Sequence, residues 1–181
     1  FSVIFLYVFK ADPPIGDPSG LKNFPLYFLS GLLPMNFFTI GIQVGIAGVQ
    51  NGSGLIKKVM FPHEHLVFSV IAAQFITMLI ELTILAVAML ALGQNVLPYL
   101  PVMLVIMVLW AVFTTGIALL LSAANVFYHD VNYLWSILSQ ILFYATPVIY
   151  NPATIEVRAL RVLSNYGPTG SFITAAHNAM Y

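Results

Sequence analysis

The chain has 181 residues, of which six are Lys or Arg and six are Asp or Glu, and its formal net charge is zero. Charged residues make up 7% of the chain, against about 25% in soluble domains, and hydrophobic residues make up 60%. So few charges cannot cover a soluble globule, which excludes most soluble enzymes and binding modules. The balanced charge disfavours a nucleic-acid partner. The absence of cysteine excludes disulfides, thiolate nucleophiles and Cys-ligated metals.

Long apolar runs alternate with short polar connections along the chain. A membrane-spanning helix needs about 20 mostly apolar residues. The runs lack the two-residue alternation of a barrel strand and are too long for one. We therefore predict an all-α fold, a polytopic integral membrane helix bundle. The predicted spans are 1–9 (the end of a span that starts outside the chain), 24–50, 66–92, 98–124 and 133–150.

The connection 51–65 has the pattern of a short amphipathic helix. Ser53 can cap its start, and Pro62 ends it at Phe61. Lys57 and Lys58 lie off the apolar stripe. That stripe consists of Leu55, Ile56, Val59 and Met60. The spacing fits two interpretations: an element that docks on a partner, or an interfacial helix whose lysines reach lipid phosphates.

Two carboxylates in or beside the spans each have two interpretations. Glu81 lies near the middle of 66–92, where a charge costs roughly 2.5–3.5 kcal/mol. It either lines a polar path or is neutral and hydrogen-bonded to a Ser, Thr or Gln of a neighbouring helix. Asp130 follows a long charge-free stretch. It either caps the next helix, where the dipole favours negative charge, or contacts a partner or the lysine pair.

Three further patterns favour structural roles. His63, Glu64 and His65 do not have the spacing of a zinc-binding helix, so we expect no metal site. Gly41-x-x-x-Gly45, with Gly48, predicts close helix packing, either within the chain or at a dimer seam. Most aromatics fit interfacial belts, although an aromatic path for sugar rings is the alternative. The belt candidates are Tyr27, Tyr99, Tyr133 and Tyr150.

Three stretches, in this order between the spans, carry a family resemblance. They are Leu55-Ile56-Lys57-Lys58-Val59-Met60-Phe61-Pro62, Leu121-Ser122-Ala123-Ala124-Asn125-Val126-Phe127-Tyr128-His129-Asp130-Val131 and Phe143-Tyr144-Ala145-Thr146-Pro147-Val148-Ile149-Tyr150. With the stretch 29–38, they resemble the membrane subunit of ATP-binding-cassette (ABC) exporters for polysaccharides, of the O-antigen and teichoic-acid type. The resemblance covers roughly residues 24–150. His63 and His129 depart from it, since the family usually has arginine there.

The resemblance implies a fragment of a six-span permease in the bacterial inner membrane. Such a permease is a homodimer that works with separate ABC ATPase subunits, and its cargo is a lipid-linked polysaccharide. ATP and Mg²⁺ belong to the partner. Since Gly-x-x-x-x-Gly-Lys-Ser/Thr is absent, we expect no catalytic residues and no bound cofactor in this chain, and thus no enzyme.

The resemblance also assigns residues to roles. The ATPase-coupling residues are Leu55, Ile56, Lys57, Lys58, Phe61, Pro62, His63 and Glu64. The second cytoplasmic loop contributes His129 and Asp130, and the candidate translocation path contains Glu81, Tyr144 and Tyr150. Segment 151–181 becomes an extracytoplasmic re-entrant element. Residues 51–65 then face the cytoplasm, although the bias of Lys and Arg between the two sides points the other way.

Alternatives from other classes remain open. An ABC exporter of drugs or lipids has similar motifs. A secondary transporter would use Glu81 as its coupling carboxylate. A membrane enzyme acting on lipid carriers is disfavoured, because such an enzyme needs clustered charges and the charges here are scattered.

Overall fold

Helices account for the regular structure of the described residues, as hydrocarbon surroundings require when backbone groups must bond within their own segment. The computed structural model describes residues 24–51, 64–91, 97–146 and 168–180. The helices are α1 (Phe24–Asn51), α2 (Glu64–Ala91), α3 (Leu100–Phe127), α4 (Val131–Ala145) and α5 (Pro168–Met180), with a 3₁₀ turn at Leu97–Tyr99 before α3. The predicted all-α fold class is confirmed.

Three of these helices are long and apolar enough to cross a membrane, namely α1, α2 and α3. Each has 28 residues, or about 42 Å of helix, which exceeds the hydrocarbon core of about 30 Å. α4 has 15 residues and ends at Ala145. Residues 147–150 of the predicted span 133–150, and the predicted span 1–9, lie outside the described residues.

Side-chain contacts fix the direction of each helix relative to α1. Ideal Cβ atoms built on Gly45 and Gly41 lie 3.5 Å from Val67 Cγ1 and from Ile71 Cδ1 respectively, so α1 and α2 are antiparallel. The same two glycines face Ala118 and Thr114 of α3, in the order of a parallel pair.

Two hydrogen bonds fix α4 in the same way. Gln43 Nε2 donates to Asn132 Oδ1 at 2.8 Å, and Trp135 Nε1 donates to the carbonyl of Thr39 at 3.1 Å. The residue numbers run in opposite directions, so α4 is antiparallel to α1. α1 contacts all four other helices and therefore lies at the centre of the bundle.

A cluster of aromatic rings fills the centre of the bundle. Phe38 of α1 stacks on Trp110 of α3 with centroids 4.8 Å apart and meets Trp135 of α4 edge-on at 5.8 Å. Phe113 lies 5.5 Å from Trp110, and Phe172 of α5 lies 4.6 Å from it. Trp110 is fully buried. These rings join four helices, a role that neither an interfacial belt nor a sugar path describes.

The fully buried indole of Trp110 also makes a polar contact with α1. Its Nε1 donates to the carbonyl oxygen of Pro34 at 2.9 Å. A buried donor of this kind needs a partner, because an unpaired one costs about 1–3 kcal/mol. Pro34 lies inside a continuous helix, and its carbonyl links α1 to the aromatic cluster through Trp110.

The glycine face of α1 packs inside the chain. A Cβ on Gly45 would meet Ala118 Cβ at 3.0 Å, and one on Gly48 would meet Val70 Cγ2 at 3.6 Å. Small residues allow this approach. Of the two interpretations of Gly41-x-x-x-Gly45, the structure selects packing within the chain.

Candidate functional site

Four helix ends meet at one end of the bundle, which we call the connector end. The directions established above place there the last residue of α1 (Asn51), the first of α2 (Glu64), the last of α3 (Phe127) and the first of α4 (Val131). The connection 52–63 joins two of these ends, and residues 128–130 join the other two. Both predicted partner-contacting loops therefore leave the bundle on the same side.

Most of the predicted coupling residues lie outside the described residues. They are Leu55, Ile56, Lys57, Lys58, Phe61, Pro62 and His63. Glu64 is described: it is the exposed first residue of α2, where the positive end of the helix dipole favours a carboxylate. Its assignment to ATPase coupling stays a prediction.

His129 and Asp130 form a tight turn between α3 and α4. The Tyr128 N–H donates to the Ala124 carbonyl at 2.9 Å, and the Val131 N–H donates to the Tyr128 carbonyl at 3.2 Å. Both His129 and Asp130 are exposed. Asp130 occupies the cap position of α4, but its side chain makes no capping hydrogen bond. Its carboxylate is thus directed to the surface of the connector end rather than used in the cap.

An apolar cleft of about 500 Å³ opens between the start of α2 and the end of α3. The sequence did not single it out. Its lining comprises Glu64, Val67, Leu119, Ser122, Ala123, Val126 and Phe127. One signal was available, since large apolar residues continue through Val126-Phe127-Tyr128 to the polar turn, where a helix end is expected to become polar. All three side chains are exposed.

A buried amide lies one turn from the cleft. Asn125 is 2% exposed, and its Oδ1 has no hydrogen-bond partner within the described ranges. Ser122, one turn earlier, is also buried and donates to the Leu119 carbonyl at 2.9 Å. The connector end of α3 therefore carries polar groups inside the bundle.

The two predicted path residues that the structure describes, Glu81 and Tyr144, lie on different helices. Glu81 is half-buried on α2, and in the part of the chain that the structure describes its carboxylate has no hydrogen bond or ion pair. A bond to a neighbouring Ser, Thr or Gln is thus not found there. Tyr144 is an exposed residue of α4, whose ring lies 5.6 Å from that of Phe143. Tyr150 lies outside the described residues.

The described ranges contain no group of three or more His, Asp or Glu side chains that would hold a metal ion. His65 and Glu64 are exposed neighbours at the start of α2, and His63 is outside those ranges. The connector end presents an apolar cleft and two exposed carboxylates, Glu64 and Asp130.

Comparison with known families gives this arrangement its context. The sequence profile of the family described as ABC-2 type transporter matches residues 1–181. The chain belongs to this family. Its membership and the three long apolar helices make it a multi-pass membrane protein.

Relatives of this chain include three proteins named O-antigen export system permease protein RfbA. One, from Myxococcus xanthus, is 29% identical over 143 residues, which cover 79% of this chain and 55% of that protein. Two from Klebsiella pneumoniae are 24% and 22% identical over 174 residues, which cover 96% of this chain and 65% of each relative. The chain thus spans less than two thirds of the length of these relatives.

Proposed function

We propose that this chain is part of the membrane-spanning subunit of an ABC exporter that moves a lipid-linked polysaccharide across the inner membrane of a bacterium. The observation that carries the proposal is the family match along all 181 residues. The names of the three relatives support a polysaccharide cargo, because each is called an O-antigen export permease. ATP and Mg²⁺ are bound and used by a separate ATPase subunit.

The connector end is the part of the molecule that receives force from the ATPase. The connection 52–63 carries Lys57 and Lys58 beside an apolar stripe, and it continues directly into α2. The turn with His129 and Asp130 leaves the bundle on the same side. A push at this end acts on α1 and α2 together, since the connection joins them and their glycine contact is close.

The outer face of α4 supports a water-accessible path beside this helix, at the seam of a homodimer. Tyr133, Ser136, Gln140 and Tyr144 are all exposed and recur at helical spacing on one side of α4. Polar side chains at membrane depth are costly unless they face protein or water. Tyr and Gln side chains provide stacking surfaces and hydrogen bonds that suit a glycan. Glu81 and Tyr150 are the further candidates for this path.

Charge reversal in the connection tests the ATPase contact. We expect the double variant Lys57→Glu, Lys58→Glu to lose co-purification of the ABC ATPase from membranes. The matched control is Arg158→Glu, Arg161→Glu, which reverses two charges in the segment assigned to the opposite side. An ATPase that is retained by the first variant as well as by the control would contradict the proposal.

Export itself is measured by transport of a labelled lipid-linked glycan into inside-out vesicles. We expect Gln140→Trp to block it, while Val112→Trp, at an exposed apolar position of α3, leaves it unchanged. Glu81→Gln separates two mechanisms. Transport that persists in Glu81→Gln and still requires ATP supports the exporter, whereas transport that depends on Glu81 without ATP would indicate a secondary transporter.

A further inference from the structure

The crevice between α1 and α4 contains four polar side chains. Gln43 Nε2 of α1 donates to Asn132 Oδ1 of α4 at 2.8 Å. Asn36 lies seven residues before Gln43, close to two helical turns. Ser139 lies seven residues after Asn132. Because α1 and α4 are antiparallel, Asn36 is level with Ser139 and on the same side of the two helices as the bonded pair. All four residues are half-buried, and we call them the polar seam.

The polar seam reaches deep into the membrane. About 12 Å of helix separates Gln43 from the end of α1 at Asn51, and about 22 Å separates Asn36 from it. α1 is about 12 Å longer than the hydrocarbon core. Even if all of that excess lies at the connector end, Asn36 is about 10 Å inside the hydrocarbon. Polar side chains at such depth are costly unless they face protein or water, so lipid tails are a poor covering for the seam.

The outward face of α3 shows what a lipid-facing surface of this chain consists of. Every exposed residue of α3 from Val102 to Leu120 is apolar or glycine. The outward face of α4 differs, because Ser136 and Gln140 are exposed beside the polar seam. The bundle therefore has a side suited to lipid at α3 and a side suited to water or a polar ligand along α1 and α4.

The seam offers both donors and acceptors of hydrogen bonds. The bond between Gln43 and Asn132 uses one amide N–H and one amide oxygen, and each side chain has a further polar group. The hydroxyls of Ser136 and Ser139 donate to carbonyls of α4 at 2.7 and 2.9 Å, so their oxygens are acceptors for a ligand. Asn36 adds a whole amide. Sugar hydroxyls donate and accept in the same way, and they are uncharged.

No basic residue of the chain falls within a predicted span. The six Lys and Arg residues are Lys10, Lys22, Lys57, Lys58, Arg158 and Arg161. Lys57 and Lys58 belong to the connection 52–63, which starts and ends at the connector end, so they can meet an anion at the membrane surface. Inside the predicted spans the one charged residue is Glu81, a carboxylate. Pores that conduct anions or phosphates carry Arg or Lys along their length. This chain contributes none, which favours an uncharged ligand.

We propose that the polar seam binds hydroxyl groups of the exported glycan and favours an uncharged glycan over one that carries carboxylate or phosphate groups. This inference rests on the proposed function and names its substrate class. The glycan enters from the connector end beside Gln43 and Asn132 and meets Asn36 and Ser139 further inside. The anionic linker to the lipid is common to both kinds of cargo and does not distinguish them.

Transport of two matched cargoes tests the preference in inside-out vesicles that contain the complete permease and its ATPase subunit. Both cargoes have the same lipid carrier and length. One has uncharged hexose repeats, and the other has one hexuronic acid in each repeat. We expect the uncharged cargo to be transported about tenfold faster or more, since a charge without a counter-charge inside the membrane is costly. Equal rates, or faster transport of the acidic cargo, would overturn the inference.

A charge placed beside the seam is expected to change this preference. Gln140→Lys should raise the rate for the acidic cargo relative to the uncharged cargo by about fivefold or more, because it supplies the missing cation. Gln140→Leu is the control at the same position, since it removes the amide without adding charge. It should slow both cargoes and leave their ratio unchanged. The same ratio in both variants would contradict selection by charge at this face.

Asn36→Leu tests the hydrogen bond to the glycan. We expect transport of the uncharged cargo to fall roughly fivefold, the effect of one lost hydrogen bond, with ATPase binding unchanged. Thr83→Val is the control, because it removes an exposed hydroxyl of α2 that donates to the Leu79 carbonyl away from the seam. Transport by Asn36→Leu that equals transport by Thr83→Val would show that Asn36 does not touch the cargo.

Access of water to the seam is measured by thiol labelling. The 181 residues contain no cysteine, so Asn36→Cys can be placed in a cysteine-free background. We expect a water-soluble maleimide to label it during ATP turnover, and the uncharged cargo to protect it. Val112→Cys on the apolar face of α3 should stay unlabelled. An unlabelled Asn36→Cys would mean that another helix covers the seam, and the inference would be wrong.

The outcomes for the wild type separate this inference from the proposed function. If ATP drives transport of both cargoes at the same rate, the exporter stands and the preference for an uncharged glycan is wrong. If neither cargo is transported, both proposals fail.

Discussion

Aromatic residues serve two different purposes at two places in this bundle. In the centre, Phe38 is 2% exposed and its ring contacts Trp110, Phe113 and Trp135. At the connector end, Phe127 is 80% exposed beside an open cleft. The same kind of side chain therefore holds helices together at one place and is largely exposed at the other. Substitutions at the two places are expected to differ widely in their effect on stability.

The largest loss of stability is expected from Trp110→Ala. The change opens a cavity where α1, α3 and α5 meet and removes the donor to the Pro34 carbonyl, and such changes cost about 3–5 kcal/mol. Thermal unfolding of the purified protein in detergent measures the effect. Trp110→Phe is the control that keeps most of the ring volume and removes the indole N–H. A Trp110→Ala protein as stable as the wild type would mean that the aromatic cluster does not hold the bundle.

Gly45→Leu is expected to cost about 1–3 kcal/mol, the range for overpacking. Even the first added carbon would lie 3.0 Å from Ala118 Cβ, so α1 and α3 would have to separate. Gly116→Leu is the matched control on α3, because a Cβ at Gly116 meets nothing within 4 Å. Comparable melting temperatures for the two variants would contradict close packing at Gly45.

A smaller effect is expected from the hydrogen bond between Gln43 and Asn132. Bonds of this kind within membranes contribute about 0.6 kcal/mol on average. A double-mutant cycle with Gln43→Leu and Asn132→Leu measures the coupling energy directly. A coupling energy of zero would show that α4 is held by Trp135 and the aromatic cluster alone.

The smallest effect on stability is expected from Phe127→Ala. Since the ring is largely exposed, the free energy of unfolding should change by less than about 0.5 kcal/mol. A large drop in melting temperature would place Phe127 with the central rings and end the contrast between the two regions.

The helices were predicted well from the sequence. In hydrocarbon a long apolar run must satisfy its backbone hydrogen bonds within its own segment, and a helix does so. The sequence did not predict which faces of α2 and α3 are buried. On α2, Ile84 is 65% exposed and Met89 is fully buried, although both are apolar. In a membrane-spanning helix the outward residues are as apolar as the inward ones, so polarity does not encode orientation.

The candidate site was predicted only in part, for a related reason. The connection 52–63 and the turn at His129 and Asp130 were recognised through a family resemblance, and the structure places the helix ends that they join at one end of the bundle. The cleft beside Phe127 depends on how α2 and α3 are placed against each other at that end, and the local sequence offered only the apolar run Val126-Phe127-Tyr128 as a signal. The packing at Gly45 was predicted in part. The glycine spacing predicted a close helix contact, whereas the contacting residue Ala118 is known only from the structure.

The position of α1 limits how this protein can change shape. Every other described helix touches it, and two indoles on different helices donate to its backbone at Pro34 and Thr39. Sliding of α1 past one neighbour would break contacts with the others at once. We therefore expect these five helices to tilt as one body, so that the moving boundaries of a transport cycle lie outside them, between copies of the subunit.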